Sequence, residues 1–269
     1  MGSGIAQTAA ASGLNVILFD LDDSILERAK QDMEAGLKKR IEKGKISSEE
    51  AEQVMSRIQL TNNLYNCLAD FIIEAIIEKT DAKIALLNQL AEINHSDTVF
   101  ATNTSSLSVT AIAESVNNPA RVIGMHFFNP ATILKLVEVV QTKFTNEQTL
   151  QLTTGLAKRM GKIPVVCSDA PGFIVNRVAR PFYIESLRIA EENIADIPAI
   201  DRIIESAGFR MGPFKLMDLI GNDVNYKVSC SVYEQLGQPE RLKPSSIQKE
   251  KVDAGNLGRK SGKGYYEYN

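Results

Sequence analysis

Tryptophan is absent from this 269-residue chain, histidine occurs twice and cysteine three times. The cysteines (Cys67, Cys167 and Cys230) are few, far apart and odd in number, which excludes a disulfide framework and fits a reducing compartment. No apolar run approaches the roughly 18 residues of a membrane span. The opening Met1-Gly2-Ser3-Gly4 carries no basic region ahead of an apolar segment, so no secretory leader is expected and the cytoplasm is the default location. A basic surplus is also missing. The formal net charge is −3, which argues against nucleic acid as a general partner. No metal-ligand cluster, internal repeat or Gly-x-Ser-x-Gly elbow appears. What remains, 44% hydrophobic and 23% charged residues, is the composition of a globular protein long enough for one large domain or two ordinary ones.

Within that frame the scarce histidines matter. His95 lies in a polar turn, where a solvated imidazole suffices as an explanation. His126 ends the apolar run Val122-Ile123-Gly124-Met125 and precedes Phe127-Phe128-Asn129-Pro130, so it is expected at a strand's end beside a loop. In open α/β sheets, ligands bind at strand ends. Glu138 interrupts the strand-like Leu136-Val137-x-Val139-Val140, where an unpaired carboxylate would be costly, and His126 is the partner expected for it. Taken singly, each residue suits a packed core position, with Glu138 paired to an arginine. Together they look like a general base held by a carboxylate.

Periodicity places a doubly wound α/β half first. Gly4 to Ser12 is small-faced and helical, and Gly13 stops it. A strand ends in Asp20, where a carboxylate can take the ribose hydroxyls of NAD and repel a 2′-phosphate; a helix N-cap or turn residue is its bland alternative. Residues 24–57 read as helical and strongly charged, 71–77 as a buried parallel strand, 82–93 as a helix and 98–102 as a strand. Ser106 suits a cap on the next helix. Residues 162–167 read as an edge-type strand that tolerates Pro164. After residues 168–172 the strand pattern ends and helices take over, predicting domains at 1–169 and 170–269. The glycine-rich tail, 257–268, has no strand before it and no helix after it, so it is no phosphate loop; it is expected to fold back on the helical half.

The motifs Asn103-Thr104-Ser105-Ser106-Leu107, Gly124-Met125-His126-Phe127-Phe128-Asn129-Pro130, Lys135-Leu136-Val137-Glu138-Val139 and Ala170-Pro171-Gly172-Phe173-Ile174-Val175-Asn176-Arg177 resemble, in order, those of the L-3-hydroxyacyl-CoA dehydrogenases. Within that family the chain looks most like the bacterial 3-hydroxybutyryl-CoA dehydrogenases. The resemblance implies a Rossmann-type NAD-binding domain followed by an all-α substrate and dimerisation domain. It further implies an acyl-CoA substrate, short in its acyl chain, and a homodimer formed through the C-terminal domain. His126 would be the general base and Glu138 its orienter. Ser105, Asn129 and Asn176 would hold substrate oxygens, with Ser105 and Asn176 counted in the catalytic set. Gly2, Asp20, Glu78 and Asn103 would serve the cofactor. Gly2 stands for the third fingerprint glycine, so the family's first strand and first two glycines are missing from this sequence. Two alternatives follow: a non-catalytic CoA-binding or structural relative that has lost NAD, and, ranked lower, a β-hydroxyacid dehydrogenase, which relies on a lysine where this chain has a His/Glu pair.

Overall fold

The computed structural model describes residues 1–268 and divides into two compact units, Met1–Asp169 and Ala170–Asn269. In the first, helix α1 (Gly2–Ala11) leads through the left-handed Gly13 into β1 (Val16–Phe19). Helices α2 (Asp23–Glu42) and α3 (Ser48–Ser56) follow. Between them Gly44 turns the chain at φ 62°, and Ser47 starts the second helix with a full capping box to Glu50. Strand β2 (Ile58–Thr61) pairs in parallel with β1. The cluster of Ala10, Leu37, Ala51 and Val54 packs these helices on Val16 and Ile58.

A second sheet runs β3 (Phe71–Glu74), β4 (Val99–Thr102), β5 (Val122–Phe127), β6 (Leu136–Gln141) and β7 (Ile163–Ser168), adjacent in that order. Helix α4 (Thr80–Ile93) joins β3 to β4, α5 (Val109–Glu114) lies between β4 and β5, and α6 (Glu147–Arg159) lies between β6 and β7. All pairings are parallel except β5 with β6. One face buries Ile5 of α1 with Val99, Ala101, Ile123, Met125, Val137 and Val139; the other buries Leu87, Phe100, Ile112 and Val122. The strands β4 and β5 are buried throughout, as their apolar runs require. Strand β3 is shorter and more open than expected. It ends at Glu74, whose carboxylate accepts from the Ile76 amide and turns the chain, so Ile76 and Ile77 lie exposed. Strands β1 and β3 each border their own sheet and have one edge paired with no other strand.

The second unit is helical: α7 (Val175–Glu191), α8 (Ile197–Ser206), α9 (Pro213–Ile220), α10 (Asn222–Gln235) and α11 (Ser246–Asp253). Tyr183, Leu187, Ile200, Phe214 and Met217 form its core. The tail does fold back on this unit. The amides of Tyr265 and Tyr266 and the Tyr268 hydroxyl donate to the buried Asp218 carboxylate, and the Tyr266 hydroxyl donates to the equally buried Asp201. A side chain at Gly264 would overlap the Asp218 carboxylate, which explains the glycine there.

Candidate active site

The antiparallel register between β5 and β6 sets His126 directly opposite Glu138. Their side chains leave the same face, and Nδ1 lies 2.7 Å from Oε2, with both residues buried. A carboxylate accepts only, so Nδ1 carries the hydrogen and Nε2 is the basic nitrogen. Phe128 packs on the imidazole, its ring centroid 4.6 Å away.

Beside this pair, the neighbouring strand end is built from acids and hydroxyls. The Asn103 amide donates to the Glu74 carbonyl, and the Asn103 side-chain oxygen accepts from the Phe127 amide at 2.8 Å. That bond ties the end of β4 to the residue after His126. Asn103, expected on the cofactor, spends its oxygen bracing β5. Glu78 anchors the turn that follows. Its Oε1 accepts from the Thr104 hydroxyl, from the amides of Ser105 and Ser106, and from the Ser106 hydroxyl. Burial works against ionisation of Glu78. The Thr104 hydrogen bond and the Lys83 charge outweigh it and hold the carboxyl below its ordinary range. Ser106 is not the helix cap; Ser108 caps α5 by accepting from the Ala111 amide, because α5 starts two residues later than the motif suggested.

Lys83 is the residue sequence reasoning missed. It is fully enclosed on α4, with Nζ 2.9 Å from both Glu74 oxygens and 3.3 Å from Glu78. Thr102 donates its hydroxyl to the same Glu74 carboxylate. A lysine five residues after one acid and nine after another, on the face where α4 meets the sheet, was the available signal.

The cofactor candidates lie at the other end of the unit's strand order. Asp20 stands just past β1, half-buried, with Oδ1 accepting from the Asp22 amide. The N-cap of α2 is Asp22, which accepts from Ser24, so Asp20 is not that cap; its bond from the Asp22 amide is the turn role expected as the alternative. Gly2 opens α1, whose N-cap makes no side-chain hydrogen bond. A Cβ at Gly4 would stand 3.4 Å from Ala131, so this helix start is closely packed on the turn after Asn129. A helix start and a carboxylate at a strand end are the kinds of group a dinucleotide fold uses. Asn129, exposed and joined to Pro130 by a cis peptide, lies in that turn. Ser105 is half-buried in the turn held by Glu78, and Asn176 is half-buried as the second residue of α7 in the helical unit.

Models of two families match end to end: 3-hydroxyacyl-CoA dehydrogenase, NAD binding domain, over residues 1–170, and 3-hydroxyacyl-CoA dehydrogenase, C-terminal domain, over 172–268. The chain belongs to the 3-hydroxyacyl-CoA dehydrogenase family. It is 45% identical over its whole length to the 3-hydroxyadipyl-CoA dehydrogenase of Escherichia coli K12, of which it spans 57%. It is 39% identical to a probable 3-hydroxybutyryl-CoA dehydrogenase of Deinococcus radiodurans, of which it spans 96%. Among solved structures, a 3-hydroxybutyryl-CoA dehydrogenase from Escherichia coli K12 superposes with a TM-score of 0.97 at 45% identity, all of this chain covering 57% of that one. The (S)-3-hydroxybutyryl-CoA dehydrogenase of Ralstonia eutropha gives 0.96 at 33% identity, with 100% and 95% covered. The cofactor of the family is NAD, and no helix among the described residues is long and apolar enough to cross a membrane.

Lys83→Met strands the enclosed Glu74 carboxylate without its cation, and urea unfolding should show a loss of about 3–5 kcal/mol. A loss below about 1 kcal/mol would mean the ion pair does not hold the two strand ends.

Proposed function

We propose that this chain oxidises the 3-hydroxyl of an L-3-hydroxyacyl-CoA to the 3-oxoacyl-CoA, or runs the reverse reduction. The observation that carries the proposal is the buried His126–Glu138 pair at 2.7 Å, one strand from the Asn103 brace. Bound NAD supplies the hydride acceptor. His126 Nε2 takes the proton of the 3-hydroxyl, and Glu138 fixes the tautomer and stabilises the imidazolium as it forms. Without that carboxylate, the charge developing on a buried ring would meet only the low dielectric of the sheet. Ser105, Asn129 and Asn176 are the residues proposed to hold substrate oxygens. The α1 N-terminus at Gly2 and the Asp20 carboxylate would receive the pyrophosphate and ribose of the cofactor. Leu21, Asp22 and Asp23 follow Asp20 with no arginine among them, which favours NAD over NADP.

The relatives' names support the substrate class but differ in acyl group, one hydroxyadipyl and others hydroxybutyryl. A homodimer through the helical unit also belongs to this proposal. Val178, Ile203 and Phe209 are more than half exposed there, an apolar set that a second copy would cover. Cytoplasmic location is part of the same assignment.

The deciding experiment is NADH oxidation with acetoacetyl-CoA, followed by nicotinamide absorbance; a protein that binds both ligands and turns over neither would sink the dehydrogenase assignment. His126→Gln should lower kcat by about 10²–10⁴-fold with NADH still bound, and unchanged turnover would remove the base. Asp20→Ala should weaken NADH by about tenfold or more, the loss of a charged hydrogen bond; equal affinity in a fluorescence titration refutes the ribose contact. Sedimentation at micromolar concentration should give twice the chain mass, and a lone monomer would remove the dimer.

A further inference from the structure

A buried cation with no acid beside it stands in the helical unit. Arg180 is 3% exposed on α7, yet no Asp or Glu among the described residues pairs with it. Its Nε donates to the Asn176 carbonyl, its Nη1 to the Asn225 carbonyl and the Ser229 hydroxyl on α10, and its guanidinium carbon lies 5.0 Å from the Tyr183 ring centre. These partners are neutral. Burial lowers the guanidinium to about 10, so the group stays cationic near neutral pH. Its remaining edge is the informative part. Nη2 donates to no described residue, which leaves that edge open to a further acceptor.

Position gives the opening a meaning. Arg180 follows Asn176 by four residues, one face of one helix, about 6 Å along the axis. On the proposed function, which this step rests on, Asn176 holds an oxygen at the reacting end of the acyl group. A distance of one helical turn is a few carbon–carbon bonds of acyl chain. An arginine's planar fork takes a carboxylate better than any neutral group, and most of all where water is scarce. A methyl-ended chain would leave that cation uncompensated. We propose that Arg180 recognises a second carboxylate at the far end of the acyl chain, making the preferred substrate a 3-hydroxyacyl-CoA of dicarboxylic type. Asn225 and Ser229 orient the guanidinium from α10, with Asn225 steadied in turn by Gln248 of α11.

The test compares 3-oxoadipyl-CoA with acetoacetyl-CoA as oxidants of NADH, in the wild-type chain and in Arg180→Met and Arg180→Lys. The wild type should favour the dicarboxylic substrate in kcat/KM. That preference ratio should fall on the order of 10- to 100-fold in Arg180→Met and recover in part in Arg180→Lys. A strut that only joined α7 to α10 would lower both substrates together, and a ratio that Arg180→Met leaves unchanged overturns the proposal. Should the methionine variant not fold, calorimetric titration of the wild type with adipyl-CoA and hexanoyl-CoA decides it. Adipyl-CoA should bind at least about tenfold tighter, and equal affinities overturn the assignment. If the wild type reduces neither 3-oxo substrate, the dehydrogenase function fails, and the same titration still decides whether Arg180 reads a carboxylate.

Discussion

A carboxylate in the middle of a buried strand has to be answered, and Glu138 is answered by the imidazole across from it. The reversal of one strand makes this possible. Antiparallel pairing puts residues face to face in register, and His126 meets Glu138 squarely. In an all-parallel sheet the same two residues would be offset and the imidazole less fixed. The single antiparallel pair in the five-stranded sheet thus carries His126 and Glu138 on one face, while Met125, Val137 and Val139 pack the core on the other.

Orientation at 2.7 Å is useful only if the strand ends stay where they are. The chain secures them with buried polar groups. Glu74 receives Lys83 and Thr102, Glu78 receives Thr104 and the Ser105–Ser106 amides, and Asn103 reaches across to Phe127. Each of the two carboxylates faces several donors, while the Asn103 oxygen takes the Phe127 amide. Such networks rigidify when fully satisfied. The Ser105 turn and the His126 strand end are consequently one unit: Glu74 fixes β3 to β4, and Asn103 fixes β4 to β5.

Much of this was legible in the sequence where a residue violated its surroundings. Glu138 in an apolar strand, a histidine at a strand end and an acid closing a β-rich run each announced themselves by cost. The domain boundary showed in the loss of strand pattern, and the helical half appeared as expected. Elements whose limits depend on partners did not show. Residues 71–77 are apolar enough for a longer strand, but the Glu74 side chain ends it by a tertiary hydrogen bond. The role of Asn103 was equally hidden, because its oxygen is claimed by an amide 24 residues away that no local pattern predicts. Only three-dimensional packing reveals that Lys83 and Arg180 are enclosed.

Three enclosed cations show how far charge placement separates structural from functional use. Lys83 has two carboxylates, so its charge is neutralised within the fold. Lys162 has none. Its Nζ donates to the Ala131 and Leu134 carbonyls, gathering the turn after Pro130, and burial lowers its pKa. That turn abuts Gly4 of α1, so this lysine steadies the junction between α1 and the turn after β5. Arg180 is enclosed more deeply, meets dipoles alone, and keeps a donor edge unused. A fold that needed only a strut between α7 and α10 could use a neutral amide at lower desolvation cost. Retaining a full charge with one edge open is what a site built to receive an anion requires.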